Sequence, residues 1–237
     1  MKAAVKRVYD RVAVKALEKG AGYGVMLDSR ELRTPAKKIL TLPTHALAVG
    51  VALEWEAQGK HMRPDTMPLM RLATTATDQF PDIRPLMTSS MVRCVESDLA
   101  CFRTIDEPQL VSKEMAAFDP LLEWVEKDFG LRLSVSDGLA LSHSPDVIPR
   151  VEELLASTDD WELTALDAIT SSSKSLVVAL ALLRGRIDAE TAVAAARVAE
   201  QHQIDEWGEV EAGHDLDAAD IAVRIGASSA FLRMLGK

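Results

Sequence analysis

The stretch 207–217, WGEVEAGHDLD, crowds acids, a histidine and a tryptophan around two glycines, and several of these residue types can do chemistry. His214 and Asp215 together could hold a divalent ion and activate its water, and Glu211 with Asp215 at i and i+4 could form an acid/base pair. A metal centre needs more ligands than these. His202 lies upstream on the preceding candidate helix, while His45, His61 and His143 have no helpful neighbours in sequence. A metal-dependent hydrolase using His214, Asp215 and Glu211 is therefore the alternative reading. A plainer account covers the acids: Glu206, Glu209 and Glu211 form a solvated face, and Asp217 with Asp220 caps a helix opening at Asp217, whose positive end attracts carboxylates. That account leaves Trp207 unexplained. A large ring among carboxylates suits a protein-docking anchor, in which the ring supplies contact area and the acids select a basic partner patch.

Other catalytic patterns are incomplete. Ser171-Ser172-Ser173-Lys174 fits the Ser-x-x-Lys arrangement, in which a lysine one turn away helps deprotonate a serine, but the companion Ser-Asp-Asn and Lys-Thr-Gly elements are missing. Capping or packing at a helix end is the expected role. The run Gly20-Ala21-Gly22-Tyr23-Gly24 places its third glycine one position early for a dinucleotide loop, and no helix follows it, so a hairpin turn is expected. There is no phosphate-binding loop and no Gly-x-Ser-x-Gly elbow.

The elements that would position these residues change character along the chain. Val12, Val14 and Leu17, then Tyr23, Val25 and Leu27, suggest short strands of a meander, continued by 31–34 and 39–42 around a Pro35 loop. At Thr44 the period changes: Leu47, Val51 and Trp55 mark a helix over 44–58. Pro64, Pro68, Pro81 and Pro85 bracket short helices at 67–78 and 83–96. Asp119-Pro120 opens a helix that stops at Gly130, and 131–136 alternates as a strand. Beyond Pro149 the pattern is helical: 151–156, 161–183, 189–206 and 218–234, with Gly185 a stop and Asp188 a cap. The expected class is α+β, a small β-rich N-terminal domain over 1–60 that ends in a helix, followed by a larger, mainly helical domain over 61–237.

With 48% hydrophobic and 27% charged residues, the 237-residue chain can bury a core. Its net charge of −9 argues against nonspecific binding to nucleic acid or anionic membrane. Cys94 and Cys101 have no metal-ligand companions and read as small buried hydrophobes. The basic start lacks the apolar run of a secretory signal, and the longest apolar run, 176–183, is too short to span a bilayer.

From Trp207 through Asp215 the sequence resembles the Atp-twelve (ATP12) family of ATP-synthase assembly chaperones, whose signature Trp-Gly-x-Val-Glu-x-x-His-Asp is matched in full. Other blocks agree in order: KRVYDRVAV (6–14), LDSRELRTPAKKILTLPT (27–44), ALEWEAQ (52–58), MPLMRLATTATD (67–78), SDLACFR (97–103), FDPLLEW (118–124) and SKSLVVALAL (173–182). The sequence departs from the family pattern at Ala100, Phe102 and Phe118, where Leu, Tyr and Trp are expected, and near Thr77, where Ile is expected, changes that touch packing more than chemistry.

The resemblance implies a chaperone without enzymatic activity or cofactor. It would bind the unassembled α subunit of the ATP synthase catalytic head and prevent its aggregation before α/β assembly. It further implies a protein that is monomeric when free, located in the bacterial cytoplasm, or in the mitochondrial matrix for a trimmed organellar form. Within the family an acidic residue of the signature matters to function, and Glu211 matches it. Partner-binding residues are then Glu211, Trp207, Asp215 and His214, with Glu211 either touching the client or pinning the last two helices. Asp98, Arg103 and Lys174, in other blocks, are expected to be structural.

Overall fold

The computed structural model describes residues 5–138, 140–208 and 214–236, with the backbone alone at Lys19, Phe80, Pro81, His214 and Asp215. The fold is α+β. Two compact units divide the chain, Met1–Arg84 with Ala230–Lys237, and Pro85–Ser229.

In the first unit, β1 (Val12–Ala16), β2 (Tyr23–Leu27) and β3 (Arg30–Glu31) form an antiparallel sheet in the order β1-β2-β3, with Val14 opposite Val25 and Met26 opposite Glu31. Of the expected strands at 31–34 and 39–42, only Glu31 belongs to a strand, β3; the rest makes single bridges, Arg33 with Ile39 and Leu42 with Tyr23. Leu42 packs so close to the turn before β2 that a Cβ on Gly22, whose φ is +121°, would sit 2.5 Å from its carbonyl oxygen. Only glycine fits there without strain.

Helix α1 (His45–Glu56) packs across β1 and β2 and buries Leu47, Ala48 and Val51 against a core that includes Val25, Leu40 and Leu42. Thr44 caps it, accepting from Leu47 N at 3.2 Å, and donates its own hydroxyl to Met234 O. Helix α2 (Pro68–Thr74) passes through a π-helical turn, Thr75–Gln79, into α3 (Phe80–Val95). The prolines therefore do not separate two short helices. Pro68 lies in a first turn, where a missing N–H costs nothing, and Pro85 is accommodated inside α3. The first turn of α2 is capped from a distance: Glu54 accepts from Leu69 N and Met70 N, each at 2.7 Å.

The second unit is helical. Helix α4 (Pro108–Phe129) runs straight through Asp119-Pro120, contrary to the expected opening there. Pro108 is the actual start, and Leu110, Phe118, Leu121 and Val125 form one buried stripe across Pro120. Burying those four side chains, at about 1.5–3 kcal/mol each, outweighs the roughly 3 kcal/mol cost of an internal proline. The helix stops at Gly130, in the left-handed region at φ 66°, as its sequence position suggests. The alternating 131–136 segment forms no strand. It makes one parallel bridge, Phe102 with Ser136, and every strand among the described residues lies between Val12 and Glu31.

Helices α5 (Val147–Ala156), α6 (Asp160–Ser173), α7 (Leu176–Leu183), α8 (Ala189–Ala196), α9 (Val198–Trp207) and α10 (His214–Met234) complete the chain. Two expected helices are each split. The 161–183 segment breaks at Lys174, whose φ is +59°, and Ser175 caps α7 by accepting from Val178 N. The 189–206 segment breaks at Arg197, without glycine or proline to announce it. The last helix opens at His214, so Asp217 lies inside it and Asp220 pairs with Arg224 at 2.7 Å instead of capping. Asp188 does cap α8, accepting from Thr191 N at 2.8 Å. Every residue of α7 is buried, as its uniform apolarity requires. No described helix is long and apolar enough to cross a membrane.

Candidate functional site

Trp207 ends α9, and its side chain is 75% exposed, the most exposed tryptophan or other large aromatic among the exposed hydrophobic residues. Gly208 terminates the helix with φ 84°, its N–H bonded to Ile204 O at 2.8 Å. Beside the ring is a shallow cavity of about 430 Å³ lined by Asp106, Glu107, Pro108, Gln109, His202, Glu206 and Trp207. Its far wall is the start of α4, nearly a hundred positions earlier in the sequence.

The packing of α9 on α4 fixes this corner. His202 is buried, with Nε2 3.0 Å from Glu107 Oε2 and Nδ1 3.4 Å from Lys113 Nζ. An ammonium can only donate, so Nδ1 accepts from Lys113 and Nε2 carries the proton shared with Glu107. Lys113 also donates to Asp205 Oδ2 at 2.8 Å, and Gln201 to Asp205 Oδ1 at 3.0 Å. These two contacts, the lysine first, hold the Asp205 carboxyl below its ordinary value. The inner polar groups of the corner are thus engaged with one another, while Asp106, Glu206 and Trp207 are exposed. Such a surface offers negative charge and aromatic area together.

Glu211 lies outside the described residues, as do the side chains of His214 and Asp215, whose backbone opens α10. Among the described residues no group of three or more His, Cys, Asp or Glu is placed to hold a metal. Sequence reasoning singled out Trp207 but not Asp106, Glu107 and Lys113, which the packing of α4 on α9 brings to the same corner. Their only local signal is the Glu107-Pro108 helix start.

Residues expected to be structural occupy joints of the second unit. Asp98 is fully buried and accepts from Ala100 N at 3.0 Å, Leu176 N at 2.7 Å and Val177 N at 3.2 Å, thereby capping α7. Burial pushes its carboxyl up from the ordinary value, opposed by the Ser175 hydroxyl and these backbone donors. Arg103 donates to Ala100 O and Phe102 O and pairs with Asp119. Lys174 Nζ donates to Ser171 O, a backbone carbonyl, so Ser171 and Lys174 do not form a nucleophile and base. Burial raises the thiols of Cys94 and Cys101 to about 12, far from a reactive thiolate.

Residues 6–126 match the family described as ATP12 chaperone protein. The chain belongs to this family. ATP12 proteins are chaperones of ATP synthase assembly, not enzymes, and their partner is an ATP synthase subunit. The mitochondrial protein atp12 of Schizosaccharomyces pombe is 28% identical over 89% of this chain and 77% of its own length. The mitochondrial protein ATP12 of Saccharomyces cerevisiae is 22% identical over 93% and 81%. The crystal structure of Atp12 from Paracoccus denitrificans superposes with a TM-score of 0.89 at 32% identity, covering 97% of this chain and 98% of that one. Bacterial ATP12 homologues are thus structurally close, and mitochondrial ones exist.

Proposed function

We propose that this ATP12 chaperone binds the unassembled α subunit of ATP synthase and covers its subunit-facing surface until the β subunit takes that place. A subunit of an obligate oligomer exposes a large apolar interface before assembly, and such a patch aggregates unless covered. The observation that carries the reading is the exposed Trp207 beside the acidic groove of Asp106, Glu107 and Glu206. Aromatic rings dominate binding energy at interfaces, and carboxylates at the rim choose a basic patch. On this reading Trp207 acts with Glu211, His214 and Asp215 of the adjoining signature, the free protein is monomeric, and it works in the bacterial cytoplasm or the mitochondrial matrix. Competition by the β subunit releases the client.

The test replaces Trp207 with Ala and, separately, Glu211 with Lys, then measures capture of the cognate α subunit alongside the melting midpoint. Loss of capture with an unchanged midpoint is expected of a contact. Capture that survives both substitutions would remove the signature from the site. A large fall in midpoint on Glu211→Lys would make Glu211 a structural residue.

A further inference from the structure

The Trp207 groove lies at the N-terminal end of α4. At the C-terminal end of the same helix is a second, broader hollow of about 680 Å³, lined by Trp124, Asp128, Phe129, Arg184, Gly185 and Arg186. Trp124 and Phe129 meet edge-on with centroids 5.3 Å apart, and the Arg184 guanidinium lies 5.5 Å from the Phe129 centroid. Both rings are partly open to solvent, and both arginines are exposed.

The backbone holds the arginines in place. Arg186 N bonds Ala181 O at 2.8 Å and Gly185 N bonds Leu182 O at 3.1 Å, the paired closure of a left-handed helix end, with Gly185 at φ 63°. Arg184 and Arg186 therefore flank a rigid turn. The Arg184 guanidinium lies over the Phe129 ring, and Asp128 lines the same hollow. Cations near the C-terminal ends of α4 and α7 complement the helix dipoles, but that effect calls for no aromatic surface beside them. Planar guanidinium forks next to tryptophan match carboxylates carried on a partner surface.

We propose that this hollow is a second client contact and takes an acidic segment of the client. The inference rests on the α-subunit reading above. The client is then held at two points, a basic patch against Asp106, Glu107 and Glu206 and an acidic one against Arg184 and Arg186. Helix α4, 22 residues long, sets them about 30 Å apart. Opposite charges at a fixed spacing select orientation as well as identity, because a client docked in reverse would set like charges together at both ends.

The experiment measures α-subunit binding to the full chain, to Arg186→Glu, to the double variant Arg184→Glu/Arg186→Glu, and to Trp207→Ala, with a melting midpoint for each. Affinity is expected to fall about tenfold or more in the double variant and measurably in Arg186→Glu, with a shallower salt dependence and an unchanged Arg186→Glu midpoint. If Trp207→Ala weakens binding while both arginine variants bind like the parent chain, the second contact is overturned and the α-subunit reading stands. If the parent chain does not bind the α subunit, that reading fails and the two-point inference fails with it.

Discussion

The Asp98 carboxylate accepts the backbone N–H of Leu176 at 2.7 Å, across 78 positions of chain. One family block, SDLACFR, thereby caps the helix formed by another, SKSLVVALAL. The same arrangement recurs. Glu54 of ALEWEAQ caps α2 in MPLMRLATTATD through Leu69 N and Met70 N. Asp78 of that block holds the Pro35 loop through Thr34 Oγ1 at 2.7 Å and Ala36 N at 3.1 Å. Arg103 joins SDLACFR to Asp119 of FDPLLEW. The blocks that reveal the family are in large part the polar joints of its fold.

Asp98→Ala leaves the N–H groups of Leu176 and Val177 buried without their acceptor. Loss of a helix cap together with orphaned donors predicts about 2–4 kcal/mol of destabilisation. Chemical denaturation of the variant checks this, and a loss below about 1 kcal/mol would contradict the role given to Asp98.

Gly22→Ala meets both a positive φ and the Leu42 carbonyl oxygen. A loss of about 2–4 kcal/mol is expected. Gly59→Ala, where no atom lies within 4 Å of the added Cβ, provides the comparison and should change stability little.

Cys94 and Cys101, with thiols raised to about 12, are predicted not to react with an aromatic disulfide reagent at pH 8 in the native protein. Both should titrate rapidly in denaturant. Fast labelling of the folded chain would show that burial does not protect them.

The Asp205 carboxyl is held below its ordinary 3.8 by Lys113 and Gln201. Its folded value lies below its unfolded one, so its contribution to stability is present above the unfolded value and is lost as pH falls through the folded value. Carbon NMR of the Asp205 carboxyl should give a midpoint below 3.8, and Lys113→Ala should bring it back toward 3.8. An unmoved midpoint in that variant would separate Asp205 from Lys113.

Local chemistry was the legible part. The Asp188 cap, the Gly130 stop and the turn before β2 follow from residue type and spacing, because a cap or a positive φ is decided within one turn of chain. Breaks set by tertiary packing were not legible. Lys174 takes a left-handed conformation so that α7 can begin on Asp98, and nothing between 161 and 183 announces it. Asp119-Pro120 misled because its local opening signal is overridden by the apolar stripe from Leu110 to Val125. At the site, Trp207 stood out as an aromatic among acids, but its groove is completed by Asp106 and Glu107, which only the pairing of α4 with α9 brings near.

Client binding is tested most directly by co-expressing the chain with its cognate ATP synthase α subunit without the β subunit. Soluble α subunit is expected to rise and to co-purify with the chaperone, and added β subunit to discharge it. Insoluble α subunit in equal amount with and without the chaperone would contradict it.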